Sequence, residues 1–322
     1  PNTALAALTA LRNNSHKLLG RFHSRLHAAY LSHKIMSNPP DDAEKQLVQL
    51  IVSHISGILE EHNVADQANY SATESWLKEQ CDLGIQFRNR IHIKKDNGHA
   101  KEQLLKLLKR GLTKASLNKG NKSFYKQISK LKHETTKAVL SELTAIFAKK
   151  SDEAESLDRD LSYMLSCKTY YKSSTPKLEP GTILKHVQES GAEGYLICIQ
   201  PACDCTRIPK KGRKFLFLPL IPSSAKFDIC IPKEPLDALN LKVDDKAYSV
   251  SLLHFAPPKA SEPIRAVRQG NQWVFTTPEP SASYEWIATL KQELVLRLAH
   301  NYGKNVSRVG ITESEWQRRW AK

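Results

Sequence analysis

The chain has 322 residues, of which 40% are hydrophobic and 25% charged, shares typical of a globular protein large enough for two domains. Its longest apolar runs, such as residues 215–221, are far shorter than the ~20 residues of a membrane-spanning helix, and its first residues lack the pattern of a secretory signal. We therefore expect a cytoplasmic protein without a membrane partner, in which the six cysteines stay reduced.

Residues 1–170 are predicted to form an all-α domain. Apolar side chains recur at helical spacing over residues 4–31 and again over residues 47–59. Ser71 and Glu74 match a capping box, which predicts the start of another helix. Because each helix would carry one apolar stripe, the pattern favours an antiparallel helical bundle.

The basic residues are concentrated in one segment. Residues 86–150 contain 17 Lys and Arg against 4 Asp and Glu, so nearly all of the formal net charge of +15 lies there. Such a field attracts phosphates or an acidic protein surface, although lysine runs also solvate the outer faces of helices. Within the basic segment 86–137 we predict contacts to nucleic acid or an acidic partner from ten residues: Arg88, Arg90, Lys94, Lys95, Lys106, Lys109, Arg110, Lys122, Lys126 and Lys130.

Residues 171–322 are predicted to form a second domain rich in strands. Proline and glycine separate seven short strand patterns, at 182–185, 195–199, 215–218, 227–231, 248–255, 264–268 and 273–276. Since no crossover helices intervene, a small antiparallel barrel or sandwich is favoured over a parallel sheet. Two C-terminal helices, one from about Ser283 and one capped at Thr312, are predicted to follow, which makes the whole chain α+β.

One strand end combines a thiol with a carboxylate. The apolar strand at 194–199 runs into Pro201 and ends on Cys203-Asp204-Cys205. A nucleophilic Cys needs a base, so Cys203, Asp204 and His186 are the candidates for thiol chemistry. In the alternative interpretation, Asp204 only caps the turn.

The surroundings of this strand end leave two further alternatives. Residues 207–214 contain five Lys and Arg, a composition that suits a phosphate or an acidic partner, or simply a solvated loop. Cys198, Cys203 and Cys205 with Cys230 have spacing that a zinc site would allow, but they lack paired CxxC knuckles. We therefore expect no metal and no cofactor.

The second half resembles a module of bacterial proteins. Gly181-Thr182-Ile183-Leu184 followed by Gln200-Pro201-Ala202-Cys203-Asp204 is similar to a Gly-Asp-Ile-Leu strand followed by a Thr/Gln-Pro-x-Cys-Asp strand end. With the ending at residues 307–316, residues 180–322 resemble the C-terminal part of proteins that carry a divergent receiver domain in phage-defence systems related to two-component pathways, including the Detocs type. The chain departs from these proteins because it shows no receiver-like series of parallel strands with an acidic pocket. Phosphotransfer is therefore not assigned to it, unless a receiver domain precedes Pro1 in a longer natural protein.

Three functions follow as hypotheses. The resemblance implies a non-enzymatic regulatory or interaction protein of bacterial signalling, in anti-phage defence, with a protein partner. The basic segment favours a nucleic-acid-binding protein instead. Cys203 favours a thiol-dependent enzyme. The sequence leaves the oligomeric state and the identity of the partner open.

Overall fold

A computed structural model describes residues 3–37, 40–82, 105, 108, 109, 111, 154–171, 174–187, 191–224, 227–233, 237–278, 281–307 and 318. The chain divides into two compact units, Pro1–Leu157 and Asp158–Lys322. The first is helical where it is described, and the second contains an antiparallel sheet, which confirms the α+β class. Within the described ranges, no helix is both long and apolar enough to cross a bilayer.

The described part of the first unit is made of helices. They are α1 (Thr3–Asn13), α2 (Ser15–Arg21), α3 (Leu26–Met36), α4 (Asp41–Glu61), a 3-10 helix (Val64–Ala68) and α5 (Tyr70–Asp82). Ala10 of α1 and Ile58 of α4 form a small buried cluster with Val64 of the 3-10 helix. The helices are confirmed here, but the predicted bundle is not, because residues 86–104 and 112–153 lie outside the described residues.

Two local predictions in this unit were wrong in detail. Helix α5 begins at Tyr70, and the Oδ1 atom of Asn69 accepts a hydrogen bond from the N–H of Ala72 at 3.0 Å. Asn69 therefore caps this helix end, where the sequence predicted Ser71. The apolar run over residues 4–31 is not continuous either, since it forms the three helices α1, α2 and α3.

Nine strands lie in the described part of the second unit. They are β1 (Thr182–Val187), β2 (Glu193–Cys198), β3 (Arg213–Pro222), β4 (Ile229–Lys233), β5 (Asp237–Val243), β6 (Ser251–Phe255), β7 (Val267–Gln269), β8 (Gln272–Thr277) and β9 (Ala282–Thr289). Their order is β4-β5-β3-β2-β1-β9-β8-β7, and β6 pairs with the first half of β3. The sheet is open, so the predicted barrel or sandwich is not confirmed.

Both faces of the central strands are buried. Ile183 lies opposite Ile197 and Leu184 lies opposite Leu196 in the β1–β2 ladder. Because successive side chains of a strand point to opposite faces, the first pair joins one core and the second pair joins another. The first core includes Val295 and Leu298 of a C-terminal helix, and the second includes Phe215, Phe217, Phe255 and Phe275.

The C-terminal helix begins later than predicted. Helix α7 extends over Gln292–Val306, whereas residues 282–289, where the sequence predicted helix from Ser283, form β9. Strand β9 pairs with β1 on one side and β8 on the other, and this long-range pairing decides the local structure. The final helix predicted from Thr312 lies outside the described residues, apart from Arg318, which is helical.

The chain segment before the sheet attaches to it. After α6 (Ala154–Ser166), Cys167 forms an isolated bridge with Leu290, and the N–H of Lys168 donates to the carbonyl of Thr289 at 2.8 Å. These bonds place Cys167 and Lys168 with the sheet unit. The two compact units divide between Leu157 and Asp158, and the domain boundary near residue 170 stays a prediction.

Candidate interaction site at the Cys-Asp strand end

The end of β2 is held by a buried glutamine. Gln200 is 8% exposed, and its Oε1 accepts a hydrogen bond from the N–H of Leu216 in β3 at 3.1 Å. Its Nε2 donates to Oδ2 of Asp204 at 3.0 Å. One side chain therefore ties the end of β2 to both β3 and the 3-10 helix Ala202–Cys205.

Asp204 is fixed a second time by an arginine at the start of β3. Nη1 of Arg213 donates to the main-chain carbonyl oxygen of Asp204 at 2.8 Å and lies 3.2 Å from Oδ1 of its carboxylate. The side chains are 43% exposed for Asp204 and 33% for Arg213, so the charge attraction itself contributes only about 0–1 kcal/mol. The pair mainly sets the direction of the chain between β2 and β3.

The three cysteines of this region differ in environment. Cys198 and Cys205 are buried in the same core, while Cys203 is exposed. Sγ of Cys205 lies 3.5 Å from the carbonyl oxygen of Pro201, within reach of a weak hydrogen bond. The hydrogen bond with Cys198, together with burial, raises the pKa of the Cys205 thiol, which keeps it protonated. Cys203 is thus the accessible thiol of the turn.

The cysteines do not form the zinc arrangement that the spacing allowed. Cys167 lies in the core on the opposite face of the sheet from Cys198 and Cys205, and burial raises its pKa to about 12. Burial also raises the pKa of Cys230, and the charge on Arg159 opposes this shift. Across the described ranges, no group of three or more His, Cys, Asp or Glu side chains is placed to hold a metal ion.

The structure does not bring His186 to Cys203. In the β1–β2 ladder His186 lies opposite Gly194, whereas Cys203 follows the other end of β2. The four residue steps from Thr182 to His186 span about 13 Å along a strand. Nδ1 of His186 is buried without a hydrogen-bond partner among the described residues, and burial lowers the pKa of its ring. The three candidates for thiol chemistry are therefore split between the two ends of the hairpin.

A rigid basic loop joins the Cys-Asp turn to β3. Ile208 is fully buried, and its carbonyl accepts a hydrogen bond from the N–H of Ser261 at 2.9 Å. Gly212 has φ +86°, and a Cβ there would lie 2.5 Å from both Nε2 of His254 and the carbonyl oxygen of Phe255. Only glycine fits this turn, so Lys210 and Lys211 stand on a fixed backbone.

Sequence reasoning identified the turn and the basic run but not the residues that organise them. Gln200 belongs to the Gln-Pro-x-Cys-Asp motif, but the motif gives it no role. Arg213 is one of the five basic residues of the loop, and nothing in the sequence sets it apart from the other four. Their common partner, Asp204, becomes apparent only when β2 and β3 pair. Gly212 within the run 207–214 was the available signal, since an isolated glycine among long side chains indicates a turn that needs a positive φ.

Only residues 105, 108, 109 and 111 of the basic segment 86–137 are among the described residues. Of its ten predicted contact residues, nine lie outside the described residues: Arg88, Arg90, Lys94, Lys95, Lys106, Arg110, Lys122, Lys126 and Lys130. The tenth, Lys109, has its Nζ 5.3 Å from the ring centroid of Tyr70, a cation–π distance. Binding by this segment stays a prediction.

Comparison of the chain with family models, curated proteins and solved structures gives no match. The resemblance of residues 180–322 to phage-defence proteins therefore rests on its motifs alone. The contacts within the turn are independent of those motifs, and they provide separate support for a function.

Proposed function

We propose that this chain is a non-enzymatic regulatory or interaction protein of bacterial signalling in anti-phage defence. In this proposal the helical unit, packed as an antiparallel bundle, docks a protein partner. The sheet unit, a barrel-like module, presents a fixed recognition surface at the Cys-Asp turn. The resemblance of residues 180–322 supports the biological setting.

One observation carries the proposal. Asp204, the carboxylate that suggested chemistry at the turn, is engaged in building it: its Oδ2 accepts a hydrogen bond from Gln200 and its Oδ1 pairs with Arg213. A carboxylate tied on both oxygens is a poor acceptor for a substrate proton, because a new bond would have to replace an existing one. The turn is therefore suited to holding a surface in place.

The experiment is a phage-infection assay in a sensitive bacterial strain that expresses the chain together with the genes that flank it. We expect wild-type protection, measured as efficiency of plating, to be retained by Cys203→Ala, since the exposed thiol forms no hydrogen bond with any residue that the structure describes. Arg213→Ala is the matched variant that removes a support of the turn, and we expect it to reduce protection. Loss of protection by a folded Cys203→Ala protein would show that a thiol step is needed, and no protection by the wild type would contradict the defence role.

A further inference from the structure

One end of the sheet unit is strongly cationic. We define the cationic end as residues 203–214 and 254–265, two segments joined by the bond between Ser261 and Ile208. These segments contain two acidic residues, Asp204 and Glu262, against seven basic ones: Arg207, Lys210, Lys211, Arg213, Lys214, Lys259 and Arg265.

The basic residues of the cationic end are of two kinds. Arg213 is bound to Asp204, so this guanidinium and this carboxylate largely neutralise each other. Lys210, Lys211, Lys214 and Lys259 are exposed, and within the described part of the chain none of these four forms an ion pair. The positive charge of this surface therefore comes from these four exposed lysines together with the exposed Arg207 and Arg265.

The backbone beneath these lysines is held in place. Ile208 anchors the loop in the core, and the N–H of Gly212 donates to the carbonyl of Pro209 at 2.8 Å, which closes the turn that carries Lys210 and Lys211. Lys214 lies opposite His254 in the β3–β6 ladder. Cations on a preorganised backbone lose less conformational entropy on binding than cations on a mobile loop.

We propose that the cationic end binds the phosphate backbone of double-stranded nucleic acid without reading its base sequence. Four of the seven basic residues are exposed lysines, whose ammonium groups act as point charges that suit phosphates, and the guanidinium groups of the exposed Arg207 and Arg265 also match phosphate oxygens. Apart from His254, the aromatic residue of the cationic end is Phe255, which is fully buried against Phe215 and Phe275. The cationic end therefore presents no exposed Phe, Tyr or Trp ring on which the bases of a single strand would stack. Contact with the phosphate backbone of a duplex is favoured instead.

The inference deepens the proposed function by naming the partner class of the recognition surface, and it rests on that function. It concerns residues other than the basic segment 86–137. Binding by the two regions is separable, because each can be changed by substitution without touching the other.

The test measures binding of the full-length chain to a fluorescently labelled DNA duplex of mixed sequence, by anisotropy at several salt concentrations. The variant is Lys210→Gln with Lys211→Gln. Removing two phosphate contacts is expected to lower the magnitude of the log–log salt slope by about 1.8, and to weaken binding about 10- to 60-fold near 0.1 M salt. The matched control is Lys242→Gln with Lys304→Gln, which removes the same charge from exposed positions outside the cationic end, and its affinity should stay within about twofold.

Three results would overturn the proposal. The first is no duplex binding by the wild type at low salt. The second is an equal loss of affinity in the variant and the control, which would show that binding depends on the net charge of the chain and not on the position of these lysines. The third is poly-glutamate competing as well as unlabelled duplex, which would identify an acidic protein as the partner. The third result would reject duplex binding but not the proposed interaction function. Failure in the infection assay would reject the defence role, and duplex binding would still be measured independently.

Discussion

Replacing Gly212 by alanine tests whether the basic loop is built as a fixed support. The new Cβ would lie 2.5 Å from Nε2 of His254 and 2.5 Å from the carbonyl oxygen of Phe255. The imidazole is able to move aside, but the carbonyl belongs to the β3–β6 ladder, where Phe255 pairs with Arg213. The main chain of β6 or of the turn must therefore shift.

The expected loss has two parts. An alanine at φ +86° costs about 1–2 kcal/mol because its Cβ crowds its own backbone. Forcing the methyl group against a packed carbonyl adds about 1–3 kcal/mol. Gly191 separates the two parts, since it has φ +79° but no atom within 4 Å of its ideal Cβ. Gly191→Ala should therefore lose only the first part.

The assay is urea denaturation of the full chain, with amide hydrogen exchange of β3 and β6 to assign the transition to the sheet unit. We expect the free energy of unfolding to fall by about 2–5 kcal/mol for Gly212→Ala, and by about 1–2 kcal/mol for Gly191→Ala. Equal losses in the two variants would mean that the turn relaxes around the methyl group without cost. The claim that Lys210 and Lys211 stand on a fixed backbone would then be wrong.

Two further predictions concern titrating groups of the sheet unit. Because burial raises the pKa of Cys167 to about 12, only about one in ten thousand of its thiols is ionised at pH 8. Cys203→Ala should therefore remove one fast-reacting thiol in a disulfide-exchange titration and Cys167→Ser none, and the reverse order would contradict the burial of Cys167. Burial also lowers the pKa of His186, so the unfolded chain binds this proton more readily and the free energy of unfolding should fall as pH drops below about 6.5. His186→Gln should flatten that decline between pH 7 and pH 5 in urea denaturation, and an unchanged pH dependence would refute the assignment.

Strands with clear local signals were predictable from the sequence. The short apolar runs of β1, β2 and β8 are bounded by glycine or proline, so local sequence was sufficient to predict them. Strand β9 was missed because the spacing of Trp286, Ile287 and Leu290 also fits a helix. Its pairing with both β1 and β8 settles the choice, and no local pattern contains that information.

The site shows the same limit at the level of single side chains. The sequence indicated Cys203 and Asp204, because a thiol next to a carboxylate is uncommon enough to suggest chemistry. It did not indicate that Arg213, nine positions along the chain from Asp204, returns to bind it. That contact depends on the antiparallel return from β2 to β3, and hence on the ladder between Cys198 and Phe217.

The choice of arginine at position 213 has a physical reason. Nη1 of Arg213 bonds both the carboxylate and the main-chain carbonyl of Asp204, and a planar guanidinium holds such a two-point contact better than a flexible ammonium group. Arginine is therefore suited to the internal support, and the exposed lysines to partners whose charges are spread along a surface. In our proposal, the carboxylate that draws attention in the sequence holds the turn in shape, while binding is carried out by the lysines beside it.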